Sequence, residues 1–326
     1  MSTPSRPAQV LRLLLEADRP RSGQEMGELL GISREAVGKA IRILRGQGFS
    51  ITARPGAGYL LESEPELVLP ARVEARLEDG SLGLPLVHFE KLDSTNLEAR
   101  RRAEAGAPHG MCLVAEYQSA GRGRLDRRWQ APARSCLLFS IVLRPHLGLE
   151  MVFGLTNLAA LALCLALEEN GLTPRIKWPN DVYLDGKKLA GILTEFTSRA
   201  ERLDYAVVGV GLNVNLTPRQ LAALPAPAAS LRAATGRRWD RAPLLARILA
   251  HLHQLYQRFA AGEHQALNQD YAARSLLTGR RVSVQDGDRV LTGLARGLAP
   301  DGALILEDDS GQHITIRHGD VSVLAF

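Results

Sequence analysis

Four arginines fall within seven residues in the stretch Gln118-Ser119-Ala120-Gly121-Arg122-Gly123-Arg124-Leu125-Asp126-Arg127-Arg128-Trp129. Guanidinium forks suit phosphate and carboxylate, and Gly121 and Gly123 let backbone approach a ligand so that successive N–H groups form an anion nest. Trp129 offers a flat cover for an apolar or aromatic group. The same composition also suits an RNA-binding or solvated basic loop, so the segment alone marks anion binding and no particular anion. A second cluster runs through Lys177-Trp178-Pro179-Asn180-Asp181 and Gly186-Lys187-Lys188-Leu189-Ala190-Gly191. It places an ammonium, an amide, a carboxylate and a further ammonium across one hairpin. Two cations offset charge that builds when a carboxylate attacks a phosphate, while Asn180 and Asp181 position nucleotide or hold Mg2+. An ordinary charged surface hairpin is the alternative. Only five of the forty basic residues are lysine (Lys39, Lys91, Lys177, Lys187, Lys188), and three of these lie within twelve residues. Lysine in an arginine-rich chain points to sites that need a compact ammonium.

Two quieter motifs accompany these. Asp93-Ser94-Thr95-Asn96 supplies hydroxyls and an amide for a polar uncharged ring, or a helix N-cap. Gly209-Val210-Gly211-Leu212-Asn213-Val214-Asn215 ends an apolar strand in small residues and amides, where a ligand can approach backbone. The histidines show neither triad nor zinc spacing. Three widely spaced cysteines, Cys112, Cys136 and Cys164, exclude a disulfide framework and fit a reducing cytoplasm.

The elements that must carry these groups can be read from periodicity. Residues 1–61 hold nine Lys and Arg against five Asp and Glu, whereas the remainder holds 31 against 30. A basic module thus precedes a neutral body, the footprint of a nucleic-acid attachment. It reads as a winged helix-turn-helix: a helix over 8–17, a Ser22/Glu25 capping box opening a helix to Leu30, a turn at Gly31, and a third helix over 34–45 capped by Ser33. A hairpin follows over 51–61, with Arg54 at its tip. Val37, Ile41 and Leu44 face inward, leaving Arg34, Glu35, Gly38, Lys39, Arg42 and Arg45 outward. Ser33, Arg34, Glu35, Gly38, Lys39 and Arg42 suit a major groove, and Arg54 suits phosphate or the minor groove. A protein-docking module is the alternative. The acidic, proline-containing stretch 62–70 reads as a linker.

With 326 residues, 45% hydrophobic and 23% charged, the chain can bury a core and spans two or three domains; disorder, collagen and coiled coil are excluded. The polar start, with Val10–Leu15 broken by Arg12, shows no signal peptide. The apolar run 151–167 is shorter than a bilayer span, contains Thr156 and Asn157, and reads as a buried helix; no membrane partner is expected. Strands are expected over 86–89, 111–117, 137–143, 175–178, 182–184, 188–196 and 205–215, with a helix over 243–261 and a mobile loop over 222–229. Short alternating strands after about Arg280 read as a small β-barrel.

Taken in order, Asp93–Asn96, Ala115-Glu116-Tyr117-Gln118 with Gly121–Arg124, Lys177–Asp181, Lys188–Leu193 and Gly209–Asn213 resemble the bifunctional biotin–protein ligase and biotin operon repressor family over essentially the whole chain. The winged helix matches the repressor-type members. Leu125 and Asp126 depart from the family loop, which commonly has an arginine and a glycine there. The resemblance implies an α+β multidomain chain: a winged helix and linker over 1–66, a mixed α/β, class II synthetase-like catalytic domain over 67–276, and an SH3-like β-barrel over 277–326. It implies that ATP and biotin react, with Mg2+, to biotinyl-5′-AMP, and that biotin passes to a lysine of the biotin carboxyl carrier protein of acetyl-CoA carboxylase. Catalysis would fall to Lys188, Arg124, Lys177 and Asp181. Biotin would be held by Ser94, Thr95, Asn96, Gln118, Arg122, Gly123, Arg124 and Lys188. ATP or the adenylate would be held by Gly121, Arg122, Arg124, Arg127, Trp129, Asn180 and Asn213, with Asp181 a candidate metal ligand. Operator DNA, and a homodimer when biotinyl-5′-AMP is bound, are the other implied partners. A biotin-sensing regulator without ligase activity, and a ligase whose winged helix no longer binds DNA, are the rival readings.

Overall fold

Local signals build the N-terminal unit. In the computed structural model, which describes residues 2–125, 127–199 and 202–324, α1 (Arg6–Leu15), α2 (Gly23–Leu30) and α3 (Arg34–Gly46) precede the hairpin β1 (Ser50–Arg54) and β2 (Gly58–Ser63). The Ser22 and Ser33 hydroxyls accept the N–H groups of Glu25 and Ala36 at 3.0 and 3.2 Å, caps worth about 1 kcal/mol each. The Glu25 carboxylate turns to Arg19 at 3.3 Å and does not complete the box. Gly31 ends α2 at φ 64°, the left-handed cap glycine adopts without strain. Val37, Ile41 and Leu44 of α3 meet Val10, Leu11, Leu14 and Met26 in a closed core. Arg21 and Tyr59 exchange backbone hydrogen bonds at 2.9 and 2.8 Å, an isolated bridge that ties the segment before α2 to the wing. Arg45 is solvent-facing at its Cα, but its guanidinium donates to the Ile51 carbonyl and so ties α3 to the wing.

The stretch 62–70 is not a free linker. β2 runs to Ser63, Glu64 holds Arg72 and Arg76 at 3.0 and 2.6 Å, and α4 (Pro70–Glu74) starts at the proline. Leu69, Ala71 and Ala75 join the N-terminal core, whereas Val68, Val73 and Leu77 join the next one. Acidic residues and prolines suggest exposure, and Glu62 and Glu66 do stay exposed against Arg54 and Arg238, but Glu64 is held by the buried Arg72 and the part-buried Arg76.

The central unit is a seven-stranded sheet flanked by helices. In chain order it contains β3 (Leu86–Phe89), α5 (Thr95–Glu104), β4 (Cys112–Ala115), β5 (Cys136–Leu143), α6 (Val152–Glu168), β6 (Arg175–Lys177), β7 (Asp181–Leu184), β8 (Lys187–Arg199), β9 (Arg202–Asn213), α7 (Pro218–Ala222), α8 (Leu231–Thr235), α9 (Arg241–Ala260) and α10 (His264–Ala272). Strand order is β3-β4-β5-β9-β8-β7-β6, parallel only between β3 and β4. All eight residues of β5 are buried, because both sheet faces are covered. Leu137, Phe139, Ile141 and Leu143 point to α6 and α9; Val142 points to α5, together with Ala99, Tyr205 and Val207. Together with the turn before it, α6 makes an apolar helical stretch Leu149–Glu168 of 20 residues, long enough to cross a membrane by length and composition, yet it lies in this core.

The last unit is a five-stranded antiparallel sheet of β10 (Arg281–Asp286), β11 (Arg289–Leu298), β12 (Leu304–Glu307), β13 (His313–Ile316) and β14 (Asp320–Val323), ordered β13-β12-β11-β10-β14. The expected strands are present, but β13 and β14 lie at opposite ends of that order, and no pairing closes them among the described residues. Trp178 from the central unit fills its core, with Nε1 donating to the Gly302 carbonyl at 3.3 Å.

Candidate active site

On the α5 face of the sheet, β9 beyond Val207 and the facing part of β8 carry glycines. Gly191 pairs with Gly211, and Gly209 pairs with Leu193. A Cβ on Gly211 would lie 2.5 Å from the Trp129 ring, and one on Gly209 would lie 1.8 Å from Asn96 Oδ1. The glycines therefore form a floor on which one indole and one amide rest. Gly209 and Gly211, where the sequence suggests that a ligand can approach backbone, line the cleft, and the Asn96 and Trp129 side chains also lie against them.

One end of the resulting cleft is neutral and hydrogen-bonding. Ser94, Thr95 and Asn96 open α5 and are buried. Ser94 occupies the N-cap position but its side chain makes no cap bond. The Ser140 hydroxyl lies 2.7 Å from Thr95 Oγ1 and 2.6 Å from Asn96 Oδ1, and Asn96 Nδ2 donates to the Leu193 carbonyl and to Glu195 Oε2 at 3.1 and 2.8 Å. Gln118 Oε1 accepts the Thr95 N–H at 2.6 Å. Ser140 and Glu195 were missed by sequence reasoning. A lone serine within the apolar run Cys136–Leu143 was the available signal.

The other end is cationic. The arginine segment folds back as a small hairpin: Trp129 N–H donates to the Gly121 carbonyl at 3.0 Å and Gly123 N–H to the Arg127 carbonyl at 2.7 Å. The Gly123 donor is thus used inside the loop, contrary to an open anion nest. Gly121 does not line the cleft; it is buried behind Trp129, where a Cβ would lie 2.5 Å from the Trp129 carbonyl oxygen. Leu125 takes a left-handed φ of 53° and is exposed, and Asp126 lies outside the described residues. The guanidiniums find carboxylates of the chain: Arg122 meets Glu195 at 3.1 Å, and Arg124 and Arg127 both meet Asp320 at the start of β14. Arg124 also donates to Asn180 Oδ1 and the Gly319 carbonyl, each at 3.3 Å. Burial draws its pKa down, against the pull of Asp320 and Asp181.

Beyond Trp129, Lys188 Nζ lies 2.7 Å from Asp181 Oδ1 and 5.9 Å from the centre of the indole. Lys177 sits 5.8 Å over the Tyr183 ring, whose hydroxyl pKa is raised by burial and by Asp181. Asn180 Nδ2 donates to the Ile192 carbonyl at 2.8 Å. Asn213 Nδ2 donates to the Ala229 carbonyl at 3.0 Å, so its amide also shapes the neighbouring wall. That wall, residues 224–228, was expected to be mobile; Ala229 N–H anchors its end on the Lys188 carbonyl at 2.8 Å. The whole is a cleft of about 760 Å3. Ser94, Thr95, Asn96, Gln118, Arg122, Gly123, Arg124, Arg127, Trp129, Lys177, Asn180, Asp181, Lys188 and Asn213 all line it. So do Asp320–Ser322 of the last unit, which sequence order could not place there.

Among the described residues no three His, Cys, Asp or Glu groups gather for a metal. Asp181 faces the Lys188 ammonium at 2.7 Å and Asn180 Oδ1 accepts from Arg124 at 3.3 Å, so the oxygens that would suit a hard cation already face cations of the chain.

Glu116, two residues before Gln118, is 2% exposed and lies 2.7 Å from Arg241. Burial alone pushes its carboxyl up, but the His88 hydrogen bond, the Arg241 charge and the Val68 N–H together hold it at about 2.

In the N-terminal unit Arg34, Glu35, Lys39 and Arg42 are exposed along α3, Gly38 is half-buried between them, and Ser33 is spent on the cap. Arg54 projects at the wing, 4.0 Å from Glu62.

Comparison with known proteins agrees with this layout. Residues 6–60 match the HTH domain family, 88–213 the Biotin/lipoate A/B protein ligase family, and 277–324 the Biotin protein ligase C terminal domain family. The chain is 33% identical over 292 residues to the bifunctional ligase/repressor BirA of Bacillus subtilis, covering 89% of this chain and 90% of that protein. It is 32% identical over 322 residues to BirA of Escherichia coli, covering 96% and 98%. Among solved structures, the biotin protein ligase of Aquifex aeolicus in complex with biotin and ATP superposes with a TM-score of 0.62 at 30% identity, over 73% of this chain and 98% of that one. The chain belongs to the biotin protein ligase family, with the architecture of its bifunctional ligase/repressor members.

Proposed function

We infer that the chain is an ATP-dependent biotin–[acetyl-CoA-carboxylase] ligase that doubles as a biotin-responsive repressor. The observation that carries this is a cleft with a neutral hydrogen-bonding end, a cationic end and an indole between them on a glycine floor. Ser94, Thr95, Asn96 and Gln118 suit the uncharged ureido ring of biotin. Its carboxylate then reaches Arg122, Gly123, Arg124 and Lys188. The carboxylate oxygen attacks the α-phosphorus of ATP, pyrophosphate leaves, and biotinyl-5′-AMP forms. Lys188, Lys177 and Arg124 offset the charge gathered there, and Gly121, Arg127, Trp129, Asn180 and Asn213 shape the adenylate site. Asp181 would be the residue to hold Mg2+, which would supply further charge neutralisation for the ATP phosphates. A lysine amine of the biotin carboxyl carrier protein next attacks the acyl carbon and AMP departs. Closure under Trp129 keeps water from the mixed anhydride.

The same intermediate serves regulation. While it stays bound it orders the arginine loop and the 222–234 segment and favours a homodimer, which sets two winged helices on a palindromic operator. Ser33, Arg34, Glu35, Gly38, Lys39, Arg42 and Arg54 face that DNA. The working units are residues 1–66, 67–276 and 277–326, the last an SH3-like barrel, and the protein acts in the cytoplasm. Biotin-dependent exchange of labelled pyrophosphate into ATP tests the first half-reaction; its absence refutes the enzyme reading. Operator affinity unchanged by biotin plus MgATP in a footprinting titration refutes the coupling.

A further inference from the structure

Both loops that border the cleft are rooted at one buried guanidinium. The first leaves β4 at Glu116 and returns to β5 at Cys136; the second leaves β9 at Asn213 and ends at α9, whose first residue is Arg241. Arg241 Nη1 lies 2.7 Å from Glu116 Oε2 and donates to the Cys136 carbonyl at 3.2 Å; Nη2 donates to the Glu66 carbonyl at 3.4 Å. The two side chains are 5% and 2% exposed. Glu116 Oε1 in turn accepts the Val68 N–H at 2.9 Å. The loop ends are also bonded to each other, through Asn215 N–H on the Ser135 carbonyl at 2.7 Å and Asn215 against the Trp239 backbone at 2.9 Å in both directions. One residue earlier, Asp240 caps α9 and pairs with Arg72 of α4. One fork therefore touches the start of the first loop, its end, and the 64–72 segment that carries the winged helix, while its own backbone ends the second loop.

We propose that Arg241 is a positioning residue for ligation and the junction through which the state of both cleft loops reaches the 64–72 segment. It touches no substrate and acts through Glu116 and the Cys136 carbonyl. A buried carboxylate stripped of its cation must take up a proton or turn away, and either change alters the contacts that Glu116 and the Cys136 carbonyl give both loops and the 64–72 segment. The proposal rests on the ligase reading and adds a residue and a route to it.

Hydrogen exchange on the full chain, with and without biotin plus MgATP, tests it alongside biotin kinetics. In the wild type, ligand slows exchange in peptides 116–136, 213–240 and 64–72. In Arg241→Gln the KM for biotin rises about tenfold or more with kcat within a few-fold at saturation, and ligand no longer slows exchange in 64–72. Arg241→Lys, which keeps the charge but not the fork, recovers most of the KM and little of the coupling. Ligand-insensitive 64–72 exchange in the wild type overturns the proposal. So does a glutamine variant that merely melts lower with KM and coupling intact. If that variant does not fold, the lysine variant and the wild-type exchange decide. Absence of both pyrophosphate release and ligand protection in 116–136 of the wild type sinks the ligase reading, and the proposal with it.

Discussion

Gly209→Ala places a methyl group where the structure has no room. The new Cβ would lie 1.8 Å from Asn96 Oδ1 and 2.7 Å from its Cγ. Asn96 cannot rotate aside cheaply, because it is 4% exposed and held by Ser140, the Leu193 carbonyl and Glu195. Overpacking costs about 1–3 kcal/mol, and leaving one or two buried polar groups unsatisfied adds about 1–3 kcal/mol each. A total of about 4 kcal/mol lowers the melting temperature of the central unit by roughly 10 °C. If Asn96 faces the ureido ring, the same displacement raises the biotin KM about a hundredfold, a change of roughly 2.7 kcal/mol. Differential scanning calorimetry and pyrophosphate exchange read the two effects. Adding Asn96→Ala removes the clashing amide, so the double variant should regain stability over Gly209→Ala alone while biotin binding stays poor. A Gly209→Ala protein with unchanged melting and unchanged KM would refute the glycine-floor reasoning.

Three further outcomes are expected. Lys188→Ala should slow adenylate formation about 100- to 1,000-fold while ATP binding, followed calorimetrically, changes only a few-fold; near-normal pyrophosphate release removes Lys188 from the catalytic set. Arg34→Ala with Lys39→Ala should abolish operator binding in a mobility-shift assay and leave ligation intact, since both side chains are exposed on α3, the helix placed for the groove. Glu116 is held at about 2 in the folded chain against 4.5 ordinarily, so its contribution is present above about pH 4.5 and lost as pH falls from there towards 2. That is about 3 kcal/mol at most, and urea midpoints at pH 6, 4 and 3 should fall more steeply for the wild type than for Glu116→Gln. Parallel slopes would mean the pair does not titrate as argued.

What could be read in advance was local. Ser33 before Arg34, and Gly31 before that, fix the start of α3 whatever surrounds it. The alternation in β10 to β14 placed five strands, whereas closure of a sheet is a long-range property that no single strand encodes. Short helices such as α4, α7 and α10 escaped because each spans two or three turns at most; α4 and α10 lack side-chain caps and rest on buried residues, whereas α7 buries none and starts on a local Thr217/Gln220 capping box. Within the cleft, residue types announced Arg122, Arg124, Lys188 and Asp181. Ser140, Glu195 and Asp320 come from strands whose registers bring them there, and Asp320 lies 193 residues from Arg127 in the chain. The linker reading failed for the same reason: the partners of Glu64 and Val68 are Arg72, Arg76 and Glu116, and only Arg72 is near in sequence.

The most direct test of the account is to incubate the purified chain with biotin, MgATP and a biotin carboxyl carrier domain and to weigh the carrier by mass spectrometry. A gain of one biotinyl group on the acceptor lysine, dependent on ATP, is the predicted result. An unmodified carrier with no pyrophosphate released would contradict it and leave the cleft as a sensor of biotin rather than a site of ligation.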